Sequence, residues 1–202
     1  SEVIDDEVAM ALYRAGCRNL TYAPESGSKK TLRLIKKKVK IPRLMSSVRS
    51  ALRHGINVKC NLIIGFPHDT RLDIIKSIFF SWRLVFRGVH DVPLYLFSPY
   101  PGTELFDEIR NRLYPNGLDD NYFRSLWAYM DLTEQTHYCL HVGPRELNLW
   151  RLFGMSTFYA LSMLFRPLRL VHLLRNIWCD KSETVLEQRL GALYHRNVKS
   201  LS

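Results

Sequence analysis

Val58-Lys59-Cys60-Asn61-Leu62-Ile63-Ile64-Gly65-Phe66-Pro67-His68-Asp69-Thr70-Arg71-Leu72-Asp73 holds the fold of this chain in a single stretch. Val58 to Ile63 is β-branched and apolar with Lys59 and Asn61 interposed, which is the composition of a strand. Ile64-Gly65-Phe66-Pro67 then breaks the run as a loop. Thr70, with Asp73 three residues on, has the spacing of a capping box, and it opens an amphipathic helix that reaches Phe86 and closes at Gly88.

The same strand, loop and helix recur on both sides. Upstream, Arg18 to Ala23 reads as a strand, Glu25-Ser26-Gly27-Ser28 as its loop, and Ser28 as the N-cap of a short basic helix. Downstream, Val92 to Phe97 is a strand, Tyr100-Pro101-Gly102-Thr103 its loop, and Thr103 with Glu104 opens a helix carrying Leu105, Phe106 and Ile109. A first helix capped by Asp5 or Asp6 stops at Gly16. Another begins at Pro42, sets Leu44, Val48 and Leu52 on one face and ends at Gly55. No two strands are joined by a hairpin-length link, so helical crossovers and a parallel sheet are implied.

The predicted fold is α/β: a partial (βα) TIM-like barrel fragment with three parallel strands over residues 1–112, followed by an α-helical C-terminal extension over 113–202. Three strands cannot close a barrel. The chain opens with Ser1, inside a helix that ought to follow an earlier strand, so the βα array is expected to be cut on its N-terminal side. In sheets wound this way ligands sit at the carboxyl ends of the strands, where loops converge and helix N-termini point free N–H groups inward. A ligand pocket built from the three loops is the first functional expectation.

The 202 residues carry 29 Lys and Arg against 19 Asp and Glu, a net charge of +10. Much of that excess lies between Lys29 and Arg43, and it reads as the solvated face of a helix with Leu32, Leu34 and Ile35 turned inward. No base-edge reading motif accompanies it, so nucleic acid is not the expected partner. No run suits a membrane span and no secretory signal opens the chain, so the intact protein is expected in the cytoplasm. Cys17, Cys60, Cys139 and Cys179 lie far apart, which suggests neither a zinc ribbon nor a disulfide framework. Cys17 and Cys60 read as core residues.

Taken in order, Ala15-Gly16-Cys17, Tyr22 to Ser28, Lys36-Lys37, Gly55-Ile56, Ile63 to Pro67 and Pro99 to Thr103 resemble the C-terminal half of a radical S-adenosylmethionine domain, of the kind often fused to an N-terminal cobalamin-binding domain. The resemblance covers roughly residues 5–112. It implies that S-adenosylmethionine is bound by Glu25 and Ser26 at its ribose or amino-acid end, by Lys37 at its carboxylate, and by Asn61, Ile63, Ile64 and Gly65 around adenine. Tyr100, Pro101 and Gly102 would shape the substrate side. His68-Asp69-Thr70 departs from the family's usual Gly-Glu-Thr and puts the shape of that loop in question. The resemblance further implies a [4Fe-4S] cluster, an electron donor such as a ferredoxin or flavodoxin, and cobalamin in a domain outside this sequence. Cluster ligation needs neighbouring thiolates, and this chain's cysteines are not so spaced.

Beyond Leu113 the βα rhythm fades. Asp119 to Met130 sets Tyr122, Phe123, Leu126, Trp127 and Met130 on a docking face. Pro144 to Phe165 is rich in large apolar residues, and Pro167 breaks it. This tail reads as a helical pair packed onto the barrel's open side or onto a domain outside this sequence, with peripheral contact of residues 145–178 to a bilayer as the alternative. His137, Cys139 and His141 alternate, which suits a half-buried strand better than a metal site.

Overall fold

The computed structural model describes residues 4–113, 117–126, 138–179, 181 and 184–199. The fold is α/β. Strands β1 (Asn19–Glu25), β2 (Asn57–Ile64) and β3 (Leu94–Leu96) form one open parallel sheet in sequence order. Asn19 lies opposite Asn57, and Leu62 opposite Leu94. Helix α1 (Asp6–Arg14) precedes the sheet. Helices α2 (Lys29–Leu34) and α3 (Ile41–Arg53) cross from β1 to β2, and α4 (Arg71–Arg87) crosses from β2 to β3. The remaining helices are α5 (Glu104–Leu113), α6 (Asp120–Ser125), α7 (Pro144–Phe165), α8 (Leu168–Trp178) and α9 (Val185–Lys199).

The period-2 alternation of β2 divides the sheet into two unlike faces. Val58, Cys60, Leu62 and Ile64 are fully buried with Tyr22, Leu94 and Leu96 beneath α3 and α4. Lys59, Asn61 and Ile63 point the other way and are only half-buried. One face is therefore core and the other borders a cleft. Helix α7 packs across α4 and β3 and brings Leu147, Phe158 and Tyr159 into the same core. Gly154 permits that approach, because a Cβ there would collide with Leu94 and lie 3.1 Å from Ile78. Helix α7 thus packs on the same face as α4, and not on the open face that borders the cleft.

Most local expectations hold. Asp5 caps α1, its carboxylate accepting from the Val8 N–H at 2.9 Å. Thr70 and Asp73 form the capping box of α4, and Gly88 ends that helix at φ +95°. Cys60 is buried, and half-buried Cys17 packs against the same core.

Three expectations are corrected. The basic run is not one solvated helix face: α2 stops at Leu34, which is exposed because Thr31 and Leu32 form the buried side, and Lys37 turns back to Glu25. Residues 138–143 are irregular and no half-buried strand forms there, because Leu140 bonds to the carbonyl of Pro67 and Gly143 caps α7. His137 lies outside the described residues. Of the expected docking face, Tyr122 is buried with its hydroxyl donating to the Pro99 carbonyl at 2.8 Å, whereas Phe123 is exposed. Trp127 and Met130 fall outside the described residues.

Asp73 links the first two βα units. Its buried carboxylate accepts from Ser28 Oγ at 2.7 Å, Thr70 Oγ1 at 2.7 Å and Thr70 N at 3.1 Å, with Lys30 Nζ at 3.4 Å. Burial alone would raise its pKa, but the Thr70 and Ser28 hydrogen bonds outweigh that and hold the carboxyl well below the usual carboxylate range. Its stabilising contribution is thus fully present above the unfolded-state value of about 4 and is lost as the pH falls below it. Asp73→Asn should cost about 2–3 kcal/mol at neutral pH. The gap from the unaltered protein should narrow as thermal melts are taken from pH 6 down through about pH 3.

Candidate functional site

At the carboxyl ends of the three strands lies an open cleft of about 650 Å³, lined by Ala23, Glu25, Ile35, Lys37, Asn61, Ile63, Phe66, Tyr95, Leu96, Phe97, Ser98 and Tyr100. A smaller cleft of about 410 Å³ adjoins it, sharing the wall of Ile35, Phe97, Ser98 and Tyr100 and reaching Thr103 and Glu104.

Glu25 is set in place by the end of β1. The ladder to β2 slips between Tyr22 and Glu25, where Pro24 has no N–H to donate, and Glu25 sits at φ +69°. A left-handed conformation at a non-glycine residue costs on the order of 1 kcal/mol and persists only where its surroundings enforce it. The enforcement is visible next door. Ser26 is buried, its hydroxyl paired with Ser77 Oγ at 3.0 Å and accepting from the Ser28 N–H at 3.1 Å. Gly27 N–H also donates to Ser77 Oγ. The loop is fastened to α4, and the Glu25 side chain is left facing the cleft.

Lys37 arrives from the other side through a Schellman turn at the end of α2. Lys36 takes φ +53°, Lys36 N–H donates to the Arg33 carbonyl and Lys37 N–H to that of Leu32. The Lys37 ammonium then meets Glu25 Oε1 at 2.9 Å, with both side chains half-buried.

The apolar wall is Ile63 and Ile35 with Phe66 and Phe97, whose ring centroids lie 5.0 Å apart, backed by Ile109 and Tyr138. Two polar atoms interrupt it. Asn61 Oδ1 and Ser98 Oγ are buried without a hydrogen-bond partner among the described residues, and buried polar atoms ordinarily have one. Both line this cleft. A ligand that donates hydrogen bonds would complete them.

The structure thus brings Glu25, Lys37, Asn61, Ile63 and Tyr100 to one cleft. It does not bring the other sequence-picked residues there by side chain. Ser26 turns inward to Ser77, and Ile64 belongs to the helix-covered core, since alternation along β2 puts it opposite Ile63. Gly65, at φ +81°, lies against Leu147 and gives its N–H to Asp69. Pro101 and Gly102 are exposed beyond the Tyr100 wall.

Asp69 was legible in the sequence only as a departure from a familiar loop. It is buried and accepts from Thr31 Oγ1 at 2.7 Å and from the N–H groups of Gly65 and Phe66 at 3.1 Å each. It therefore joins α2 to the loop that carries Phe66 into the wall. Burial pushes its pKa up, partly countered by these hydrogen bonds. His68 is half-exposed and meets Glu108 at 2.6 Å. Among the described residues no three His, Cys, Asp or Glu side chains converge as a metal site would require. Cys60 lies on the core face, its thiol pushed up to about 12 by burial and then by Asp91.

No family model matches the chain. Over 149 residues, 68% of the chain, it is 30% identical to a tRNA-2-methylthio-N(6)-dimethylallyladenosine synthase of Buchnera aphidicola, covering 33% of that protein. Over 107 residues it is 30% identical to a threonylcarbamoyladenosine tRNA methylthiotransferase of Thermotoga maritima, and over 103 residues 29% identical to an uncharacterized methyltransferase of Pyrococcus horikoshii. These two matches take in 50% and 51% of the chain, and 24% and 22% of the relatives. The chain is thus similar to methyl- and methylthiotransferases and spans a third or less of the length of these relatives.

If Asp69 holds the Phe66 loop, Asp69→Ala should leave two backbone donors unsatisfied and destabilise the protein by about 2–3 kcal/mol. Hydrogen exchange should then accelerate at the Gly65 and Phe66 amides more than at the core amides of β2.

Proposed function

We propose that the cleft binds S-adenosylmethionine, and that the chain is part of a radical S-adenosylmethionine enzyme carrying out methyl or methylthio transfer. The observation that carries this reading is the half-buried Glu25–Lys37 pair beside an apolar, aromatic wall holding the unpartnered Asn61 Oδ1. Its support from outside the chain is the similarity to enzymes named for methyl and methylthio transfer.

The donor set suits that ligand. A carboxylate accepts from ribose hydroxyls or an ammonium group, and a lysine ammonium pairs with a carboxylate. Ligand binding would insert between Glu25 and Lys37 or share them, exchanging one ion pair for two complementary contacts. Asn61 would accept a hydrogen bond while Ile63 and Phe66 take up the flat face of a base. Tyr100 and Ser98, common to both clefts, would divide the cofactor from the substrate in the smaller cleft.

Bound beside a reduced [4Fe-4S] cluster, S-adenosylmethionine would supply radical chemistry at a substrate C–H bond. The cysteines of this chain do not fit that cluster, so its ligands, the electron donor that reduces it and any cobalamin are assigned outside the chain. Within it, the residues bind, orient and exclude water.

Isothermal titration of the chain with S-adenosylmethionine should show saturable binding at one site. Lys37→Ala and Glu25→Gln should each weaken it by about tenfold or more, the scale of a lost charged hydrogen bond. Cys60→Ser, on the opposite face of β2, should leave the affinity unchanged. Absence of saturable binding by the unaltered chain would overturn the reading.

A further inference from the structure

Helices α7 and α8 bury Leu147, Phe158, Tyr159 and Leu173 yet keep a second apolar surface on the outside. In α7, Arg151 and Ser162 are buried, and Thr157 accepts a hydrogen bond from the Trp82 indole at 3.0 Å. Other large apolar residues face outward: Leu164 is 73% exposed, Leu168 72% and Trp178 79%. Along α8, Leu168, Val171, Leu174 and Trp178 share about a third of the helix circumference at 100° per residue. Arg169 is turned inward, donating to the carbonyls of Gly88 at 2.7 Å and Val89 at 2.9 Å. With Leu173 buried but Leu168, Val171, Leu174 and Trp178 exposed, α8 presents an apolar face in need of a partner.

The charge beside that face indicates which partner. A cleft of about 580 Å³ between the end of α4 and the start of α8 is lined by Arg87, Arg166, Arg169, His90 and His172 together with Leu168, and among the described residues no carboxylate lines it. The un-neutralised positive potential is felt inside it. His90 is driven down to about 4 by burial, then by Arg169 and Arg166, and Arg169 itself falls to about 10 by burial and then by Arg166. Phe86 and Phe165, ring centroids 5.0 Å apart, join α4 to the same exposed face. The single acidic residue of α7 is Glu146, held by Arg71 at 2.6 Å, and α8 has none. Nucleic acid would use the cations and leave the aliphatic stripe uncovered, whereas a bilayer with acidic headgroups uses both.

We propose that α8 and the end of α7 form a docking surface for an anionic lipid bilayer. The stripe from Leu164 through Trp178 enters the boundary between headgroups and acyl chains, and a phospholipid phosphate occupies the arginine cleft. The association is peripheral: among the described residues no helix is long and apolar enough to cross a membrane. The surface lies where α4 leads into β3, at the opposite end of the strands from the cleft that holds Glu25 and Lys37, so it stands apart from the ligand-binding reading.

Flotation of the 202-residue chain with vesicles tests this. With phosphatidylcholine vesicles containing about one third phosphatidylglycerol, the chain should float, its Trp178 emission should shift to the blue, and binding should fall as salt rises. On pure phosphatidylcholine binding should be weaker, by about fivefold for each cation engaged. Leu168→Glu with Trp178→Glu should weaken flotation by about tenfold or more, and Arg87→Gln should weaken it while leaving the apolar stripe intact. These side chains are exposed or rim a cleft, and unchanged circular dichroism and melting temperature would confirm folding. Failure to float on the anionic vesicles, or flotation indifferent to the double substitution, would overturn the proposal. So would a dimer by light scattering that leaves Trp178 shielded without lipid, since a second copy would then cover the face.

Discussion

Two buried carboxylates fasten the loops of the first two βα units to each other, and the candidate site depends on that fastening. Asp73 reaches from the first turn of α4 to Ser28, and Asp69 reaches from the loop after β2 to Thr31. Both partners lie at the start of α2, so the segment after β1 cannot shift without disturbing the one after β2. Charged hydrogen bonds in a water-poor setting are stronger than neutral exposed ones and costly to break. They locate Lys37 at one end of α2 and Phe66 just before Asp69, on facing sides of the same cleft.

This arrangement explains how a strained residue can be kept at the pocket. Glu25 holds a left-handed backbone where the ladder slips at Pro24, Ser26 is pinned to Ser77, and Lys37 balances its charge. Each support comes from a different element. The cleft is therefore shaped before any ligand enters, which lowers the ordering cost of binding. The opposite face of the sheet has no such openness, since α3, α4 and α7 cover it and Gly154 lets α7 settle directly on Leu94.

Much of this was legible in the sequence. The β2 stretch shows its strand by β-branched composition and its helix by the Thr70–Asp73 spacing, both local signals that tertiary context left standing. Glu25, Lys37, Asn61 and Ile63 could be picked from loop order and residue type, and the structure brings them together. Ser26 and Ile64 were picked by the same reasoning, yet their side chains face elsewhere. A one-residue step along a strand reverses the face, and residue type alone does not say which parity points inward. Asp69 drew notice only as a deviation, because a buried carboxylate is identified by the donors that surround it, and those lie 38 residues away at Thr31 and next door in the backbone.

The helical tail marks the same boundary. Periodicity foretold helices after Pro144 but not which of their sides would face the protein. Arg151 and Ser162 are turned toward it together with Leu147 and Phe158. By itself the sequence determined the α/β class, the three parallel strands, the helix caps and the set of loops where a ligand belongs, because short-range periodicity and capping chemistry govern these. Tertiary structure alone decided which side of each strand and helix faces the core, that Glu25 and Lys37 meet, and that α8 shows its leucines to the outside. Those outcomes rest on contacts between residues distant in the chain, which no local pattern encodes.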